Sequence, residues 1–297
     1  MKNLIHLLLF TVLLLTGVSQ ASALTIVPQS ALVPSTVYYT DLIGAGIGNP
    51  LVMTGGGNAS NEGQSRNDDG FSGPIGLGFN LFFFGATHTS FFANNNGNIS
   101  FTEGIAEFTP EGPQGALVPI ISPFFADVDT RNLASGLMHL RNDIPNQIIV
   151  TWDAVGYFGE NADKLNSFQL VLRGPGFTIP AGEGAIGFFY KGMQWEVGDA
   201  SGGTGGFCPA GATNCFPAAV GFGTGAGDGV ILEGTTEDGI SGVVNNHHIW
   251  FDIVEGVPVV TPPPSNGVVP EPATLLLMGT GLAGLVAWRF RKQAQSR

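Results

Sequence analysis

The middle of the chain alternates short apolar runs with turn residues. Asn96 and Gly97 lie between two β-prone runs, and an Asn-Gly pair in this position predicts a hairpin because both residues tolerate positive φ. The runs 136–141 and 147–152 predict a second hairpin with a longer loop. Since the pattern offers no long amphipathic helix to connect parallel strands, it predicts an all-β fold with a sandwich-like antiparallel β domain.

One run also predicts which of its faces is buried. Ile148, Val150 and Trp152 recur at every second position, and the intervening positions include Gln147 and Thr151. In a strand this alternation separates the two sets onto opposite faces. We therefore expect the face with Trp152 to lie in the core.

Residues 1–23 carry the features of a secretory signal. Lys2 precedes an apolar run at 4–15, and Ala21 and Ala23 give the small-x-small pattern that a signal peptidase accepts. We expect a signal-peptide helix that is removed after Ala23, and therefore an exported protein.

The tail of the chain has an ordered set of features after a proline-rich linker at 256–269. An apolar segment predicts a short transmembrane helix at 273–290. Its apolar part, 273–288, would be about 24 Å long as a helix, slightly less than the roughly 30 Å of a bilayer core. Basic residues at its end predict a cytoplasmic C-terminus, in agreement with an exported N-terminus. The residues that mark the two ends of this segment are Pro270, Glu271 and Pro272 before it, and Arg289, Arg291 and Lys292 at its end.

The section 270–297 resembles the PEP-CTERM sorting signal of Gram-negative bacteria in order, spacing and position. The resemblance implies an exosortase-like processing enzyme that cleaves close to the Pro-Glu-Pro, often in species that make exopolysaccharide. The chain would then pass through the inner membrane transiently and finish in the cell envelope or the extracellular matrix. An ordinary single-span anchor predicts the same export and topology but keeps the protein in the membrane.

The body of the chain contains a series of blocks at 68–74, 77–85, 118–131, 150–158, 164–172, 194–195 and 198–203. Together and in this order they resemble the nidogen-like (NIDO-type) extracellular domain. The resemblance covers 68–222, and we expect the domain to occupy 68–255 after an N-terminal strand and loop region at 24–67. It implies adhesion of the cell–matrix type, with extracellular polysaccharide or a matrix protein as partner.

Composition and charge narrow the classes of partner. Charged residues make up 11% of the chain and glycine supplies 45 of its 297 residues, which favours short strands and many turns over helices. The formal net charge is −12, with several of the basic residues placed at the two ends. A body this acidic excludes nucleic acid as an expected partner.

Cys208 and Cys215 are the chain's two cysteines. An isolated pair in an exported chain predicts a disulfide, here one that closes a small surface loop. A zinc site would need four ligands, and the neighbouring sequence has no cluster of histidine or cysteine.

Five aspartates lie beside glycines or at the end of an apolar run, where carboxylates can serve as hard oxygen ligands for Ca²⁺. No Asp-x-Asp-x-Asp-Gly loop is present, so such a site would assemble from separate turns. The same carboxylates are typical turn caps that accept backbone N–H bonds. We favour the turn-capping interpretation, and Ca²⁺ stays open as the one possible cofactor. The residues are Asp68, Asp69, Asp127, Asp129 and Asp199.

We expect the protein not to be an enzyme, because the sequence shows no recognisable catalytic constellation. An alternative is a secreted hydrolase of extracellular polysaccharide that uses Asp127 and Asp129 as acid and base. A third interpretation is a structural matrix component without a specific ligand. The aromatic stretches 152–158 and 82–84 are candidate contact surfaces, although most such rings belong to cores.

Overall fold

A computed structural model of the protein describes residues 24–57 and 62–262. The predicted signal peptide at 1–23 and the sorting section at 270–297, with its transmembrane helix 273–290, lie outside these residues. Within the two described ranges, no helix combines the length and the apolar character needed to cross a bilayer.

The described residues are mostly β-strand. Helix α1 spans Tyr39–Leu42 and helix α2 spans Ile240–Val244, with short 3₁₀ turns at Gln29–Ala31, Pro113–Gly115 and Asp199–Ser201. The strands, in chain order, are β1 (Leu24–Val27), β2 (Val33–Pro34), β3 (Asn49–Pro50), β4 (Gly55–Gly56), β5 (Gly70–Phe71), β6 (Ile75–Phe83), β7 (Ala86–Asn94), β8 (Asn98–Ser100), β9 (Ile120–Phe125), β10 (Val128–Asp129), β11 (Leu137–Arg141), β12 (Gln147–Tyr157), β13 (Asn161–Arg173), β14 (Ile186–Gly192), β15 (Ala219–Gly223), β16 (Gly229–Leu232), β17 (His247–Val254) and β18 (Val257–Val260).

The strands form two sheets. The first has the order β1-β16-β15-β9-β8-β7-β5-β4, with β6 paired to β7. The second has the order β18-β17-β14-β13-β12-β11-β3, with β10 paired to β12 and β2 paired to β17. The pair β1 and β16 is parallel, whereas β12 and its partners are antiparallel. The expected sandwich-like antiparallel β domain is confirmed.

Both predicted hairpins are present. Strands β7 and β8 pair on either side of the loop 95–97, and β11 pairs with β12. Gly97 has φ 77°, and a Cβ at this position would lie 1.8 Å from the carbonyl oxygen of Phe124. Glycine is therefore required here both for its conformation and for the close approach of β9.

The main core lies between the two sheets and is rich in aromatic rings. Trp152 stacks on Phe168 with ring centroids 5.0 Å apart. From the first sheet, Phe222 contacts Phe188 at 5.2 Å and Phe251 at 4.8 Å. The predicted inward face of β12 is thus buried in the core.

The opposite face of β12 is buried too, which the alternation did not predict. Ile149 has no exposed surface and belongs to a second apolar cluster with Tyr39, Val171, Phe189 and Trp250. Tyr39 comes from α1, so the N-terminal segment covers the outer face of the second sheet.

The ends of the domain also extend beyond the expected 68–255. The segment before Asp68 was expected to be a strand and a surface loop, and it supplies β1 to the first sheet and β2 and β3 to the second. At the other end, β18 lies in the expected linker and pairs with β17. Both sheets therefore use residues that the sequence pattern had placed outside the domain.

Candidate functional site

Asp127 lies in a two-residue link between β9 and β10. Ala126 N donates to the carbonyl oxygen of Asn96 at 3.2 Å, and Phe158 N donates to the carbonyl oxygen of Asp127 at 3.0 Å. On the other side of Asp127, Val128 N donates to Asn96 Oδ1 at 3.0 Å. These bonds fix the backbone, and the Asp127 side chain is directed inward with 0% of the residue exposed.

Asp68 and Asp69 form the turn that leads into β5. Asp69 has φ 63°, a left-handed conformation that aspartate tolerates better than most residues. The backbone of Asp68 forms an antiparallel bridge with Asp129. The turn therefore lies directly beside β10 and close to Asp127.

We call Asp68, Asp69 and Asp127 the acidic centre. One carboxylate oxygen from each residue lies within 4.8 Å of the other two. Gly198 provides space for the group, because a Cβ there would lie 2.3 Å from Asp127 Oδ2. The fold thus brings three acids together from two segments that are far apart in sequence.

Asp127 has no hydrogen-bond donor among the described residues at either carboxylate oxygen, and buried Asp68 Oδ1 has none either. Transferring an unpaired carboxylate into a protein interior costs several kcal/mol, so a proton or a cation must compensate. Burial, reinforced by the charges of Asp69 and Asp68, raises the pKa of Asp127 to about 9. Burial and the charge of Asp129 raise the pKa of Asp68 to about 7.

Asp129 is close to the acidic centre but has a different role. Its Oδ1 accepts from Arg131 Nε at 2.9 Å, and its Oδ2 accepts from Arg131 Nη2 at 2.5 Å. Glu160 N also donates to Oδ2, at 2.8 Å. Arg131 Nη2 extends to Asp68 Oδ2 at 3.0 Å. Asp129 is therefore neutralised by an ion pair, and the same guanidinium compensates only part of the charge of the centre.

Asp199 is not brought into the acidic centre. It begins the 3₁₀ turn Asp199–Ser201 and is exposed, although its charge contributes to the raised pKa of Asp127. The structure thus groups three of the five candidate aspartates, places Asp129 beside them in an ion pair with Arg131, and leaves Asp199 exposed outside the group.

Buried asparagines of the β7–β8 hairpin hold the site together. Asn96 Nδ2 donates to Asp69 Oδ1 at 2.8 Å and to the carbonyl oxygen of Glu107 at 3.0 Å. Asn95 Nδ2 donates to the carbonyl oxygen of Val128, and Trp152 Nε1 donates to the carbonyl oxygen of Asn95 at 3.0 Å. In the sequence, Asn96 is recognisable only as part of a turn signal, and no local pattern indicates the role of Arg131.

The predicted disulfide between Cys208 and Cys215 is confirmed. Its loop packs against the turn that follows Gly198, where Phe216 N donates to the carbonyl oxygen of Ser201 at 3.0 Å. The crosslinked loop therefore supports the segment that leaves room for Asp127.

The aromatic stretches have mixed positions. Trp152 and Phe83 are fully buried, whereas Phe82 is 49% exposed. Phe82 lines an open cleft of about 660 Å³ together with Ile179 and Val254. Of the two predicted contact stretches, 82–84 therefore presents a ring to solvent.

A family model described as NIDO related matches residues 49–214, more than half of the chain. The chain belongs to the NIDO-related family. The three residues of the acidic centre and Gly198 all fall within this NIDO-related match. The resemblance to the nidogen-like domain is thereby confirmed.

Curated relatives of the chain include alpha-tectorins. The chain is 32% identical over 165 residues to mouse and to human alpha-tectorin, and 29% identical over 163 residues to the chicken protein. Each match covers 46% of this chain and 7% of the relative's length. No solved structure matches the chain.

A PEP-CTERM protein-sorting motif matches residues 268–292. The motif implies processing by an exosortase-like enzyme. A NIDO-related domain and a sorting motif in one chain identify an exported protein of the cell envelope or the extracellular space.

Proposed function

We propose that this protein is a surface or extracellular-matrix adhesion protein of a bacterium, and that its NIDO-related domain binds extracellular polysaccharide or a matrix protein without chemical reaction. The observation that carries the proposal is the joint presence of the NIDO-related match and the PEP-CTERM motif in one chain. In this proposal the chain passes through the inner membrane with its C-terminus in the cytoplasm before an exosortase-like enzyme processes it.

The geometry around Asp127 and Asp129 supports binding rather than hydrolysis. A hydrolytic acid and base must both reach the substrate. The Asp129 oxygens accept from Arg131 and Glu160, and Asp127 has no exposed surface. These two carboxylates are therefore poorly placed to act on a polymer.

The cleft beside Phe82 supports a contact role for the surface. Phe82, Ile179 and Val254 are exposed by 49%, 39% and 55%. Exposed apolar groups that gather around one cleft are typical of interaction surfaces. An aromatic ring at such a position supplies contact area with little loss of side-chain entropy on binding.

The test is a binding isotherm of the full-length chain, purified in detergent, on extracellular polymer from the producing strain. We expect saturable binding that Phe82→Ala weakens about tenfold, the loss of one interface anchor. Leu133→Ala removes another exposed apolar side chain, 85% exposed, and should leave the isotherm unchanged. Prior protease treatment of the polymer distinguishes a protein ligand from a polysaccharide.

Two results would oppose the proposal. Release of new polymer chain ends that disappears in Asp127→Asn would indicate the hydrolase alternative. Self-association of the chain without saturable polymer binding would indicate a structural component of the matrix.

A further inference from the structure

The spacing of the acidic centre fits a single metal ion. Ca²⁺ binds oxygen at about 2.3–2.6 Å, so two oxygens on the same ion lie no more than about 5 Å apart. The oxygens of Asp68, Asp69 and Asp127 lie within 4.8 Å of one another. They could therefore bind one Ca²⁺ ion without movement of the backbone.

Asp127 supplies an independent reason to expect a ligand. Its side chain is fully buried and aimed into the centre, and neither oxygen accepts a hydrogen bond from the described residues. The nearby donors serve other groups, because Arg131 binds Asp129 and Asp68 and the Asn96 amide binds Asp69 and Glu107.

Glu196 shows how the same fold treats another buried acid. Glu196 is 2% exposed, and its oxygens accept from Gly239 N at 2.7 Å, from Ser241 N at 2.9 Å and from Ser241 Oγ at 2.8 Å. This carboxylate has three donors from the chain, whereas Asp127 has none among the described residues. Buried polar groups in native proteins are nearly always paired, so the partner of Asp127 must come from beyond the described residues or be a proton.

The geometry points to a Ca²⁺ site formed by Asp68, Asp69 and Asp127, which we propose fastens the turn before β5 to the link between β9 and β10. The ligands are carboxylate oxygens, which suit Ca²⁺ better than Zn²⁺, an ion that favours nitrogen and sulfur. Ca²⁺ also accepts irregular arrangements of six to eight oxygens, whereas Mg²⁺ demands an octahedron at about 2.0–2.1 Å. This inference does not depend on polymer binding.

The test is calorimetric titration of the full-length chain with CaCl₂ after removal of divalent ions by a chelator. We expect one Ca²⁺ per chain with a dissociation constant of about 10⁻⁴–10⁻³ M, the range of extracellular modules. In 10 mM Ca²⁺, the thermal unfolding midpoint should rise by about 5 °C. MgCl₂ at the same concentration should raise it by less than half as much.

Asp127→Asn should abolish both the heat of binding and the rise in the unfolding midpoint. Asp143→Asn is the matched control, because Asp143 is exposed and pairs with Arg141 away from the centre; it should titrate like the wild type. Asp69→Asn changes a second, half-buried carboxylate of the centre and should weaken binding at least tenfold, which tests the site independently of Asp127. Absence of Ca²⁺ binding by the wild type up to 10 mM would overturn the proposal, as would wild-type affinity in Asp127→Asn or Asp69→Asn.

Discussion

Arg131 donates to both carboxylate oxygens of Asp129, through Nε at 2.9 Å and through Nη2 at 2.5 Å. Asp127, two residues earlier in the chain, receives no hydrogen bond from the described residues at either carboxylate oxygen. The two acids have the same chemistry and nearly the same position in sequence. Their environments separate them into a neutralised ion pair and an uncompensated carboxylate.

Replacing Arg131 by alanine should leave the fully buried Asp129 without its counter-charge. Breaking a buried pair from one side costs about 3–5 kcal/mol, so we expect a loss of this size in the free energy of unfolding measured with urea. The control is Arg141→Ala, whose partner Asp143 has a side chain 66% exposed and where a surface pair contributes no more than about 1 kcal/mol. Equal losses in the two variants would contradict this interpretation.

Asp127→Asn and Glu196→Gln make the same chemical change at two buried acids. In the presence of a chelator we expect Asp127→Asn to raise the unfolding midpoint, because it removes a carboxyl that burial disfavours as an anion. Glu196→Gln should lower the free energy of unfolding by about 1.5–3 kcal/mol, because it weakens hydrogen bonds to a charged group. Thermal unfolding of both variants in the same buffer measures whether one midpoint rises and the other falls. Destabilisation by both changes would contradict the interpretation that Asp127 is unpaired while Glu196 is paired.

Tyr39→Ala should destabilise the domain although its helix has only four residues. The Tyr39 ring is buried in edge contact with Trp250 at 5.6 Å, and truncation of a buried aromatic side chain costs about 3–5 kcal/mol. Leu42 lies in the same helix and is 61% exposed, so Leu42→Ala should cost less than about 0.5 kcal/mol. Urea unfolding compares the two, and a small effect at Tyr39 would show that α1 does not cover the sheet in solution.

His248 should make stability depend on pH. Burial, followed by the charge of His247, lowers the pKa of His248, so below about pH 6.5 the unfolded chain gains a proton that the folded chain resists. The free energy of unfolding that neutral His248 contributes is therefore fully present above about pH 6.5, and it is lost as the pH falls toward the lowered pKa of the folded state.

His248 stacks on Phe189 with the ring centroids 5.0 Å apart. His248→Phe keeps an aromatic ring at this position and removes the titratable group. We expect the urea midpoint of the variant, taken relative to that of the wild type, to be higher at pH 5 than at pH 7.5, because the acidic centre titrates in both proteins and cancels in the difference. A difference between the two midpoints that does not change with pH would refute a role for His248.

Local signals were sufficient for the elements that depend on nearby residues. The β7–β8 hairpin follows from Asn96 and Gly97, and the disulfide follows from two isolated cysteines in an exported chain. In both cases, the partners are close in sequence, so the pattern contains the information that the fold uses.

The composition of the acidic centre depends on contacts that a strand pattern does not contain. In an unbroken strand, residues two positions apart such as Asp127 and Asp129 would share a face, but Asp127 lies in the link between β9 and β10, where the alternation is interrupted. The bridge between Asp68 and Asp129 joins the turn before β5, a strand of the first sheet, to β10, a strand of the second sheet. The cover provided by α1 likewise depends on tertiary packing, because four residues are too few to show a helical period.

The most direct measurement is the equilibrium binding of the full-length chain to purified extracellular polymer of the producing strain, with polymer concentration varied at fixed protein. If the chain is an adhesion protein, we expect the isotherm to saturate and the mass of the polymer to be unchanged after binding. Binding that never saturates, or a polymer that is shortened by the wild-type chain, would contradict the proposed function.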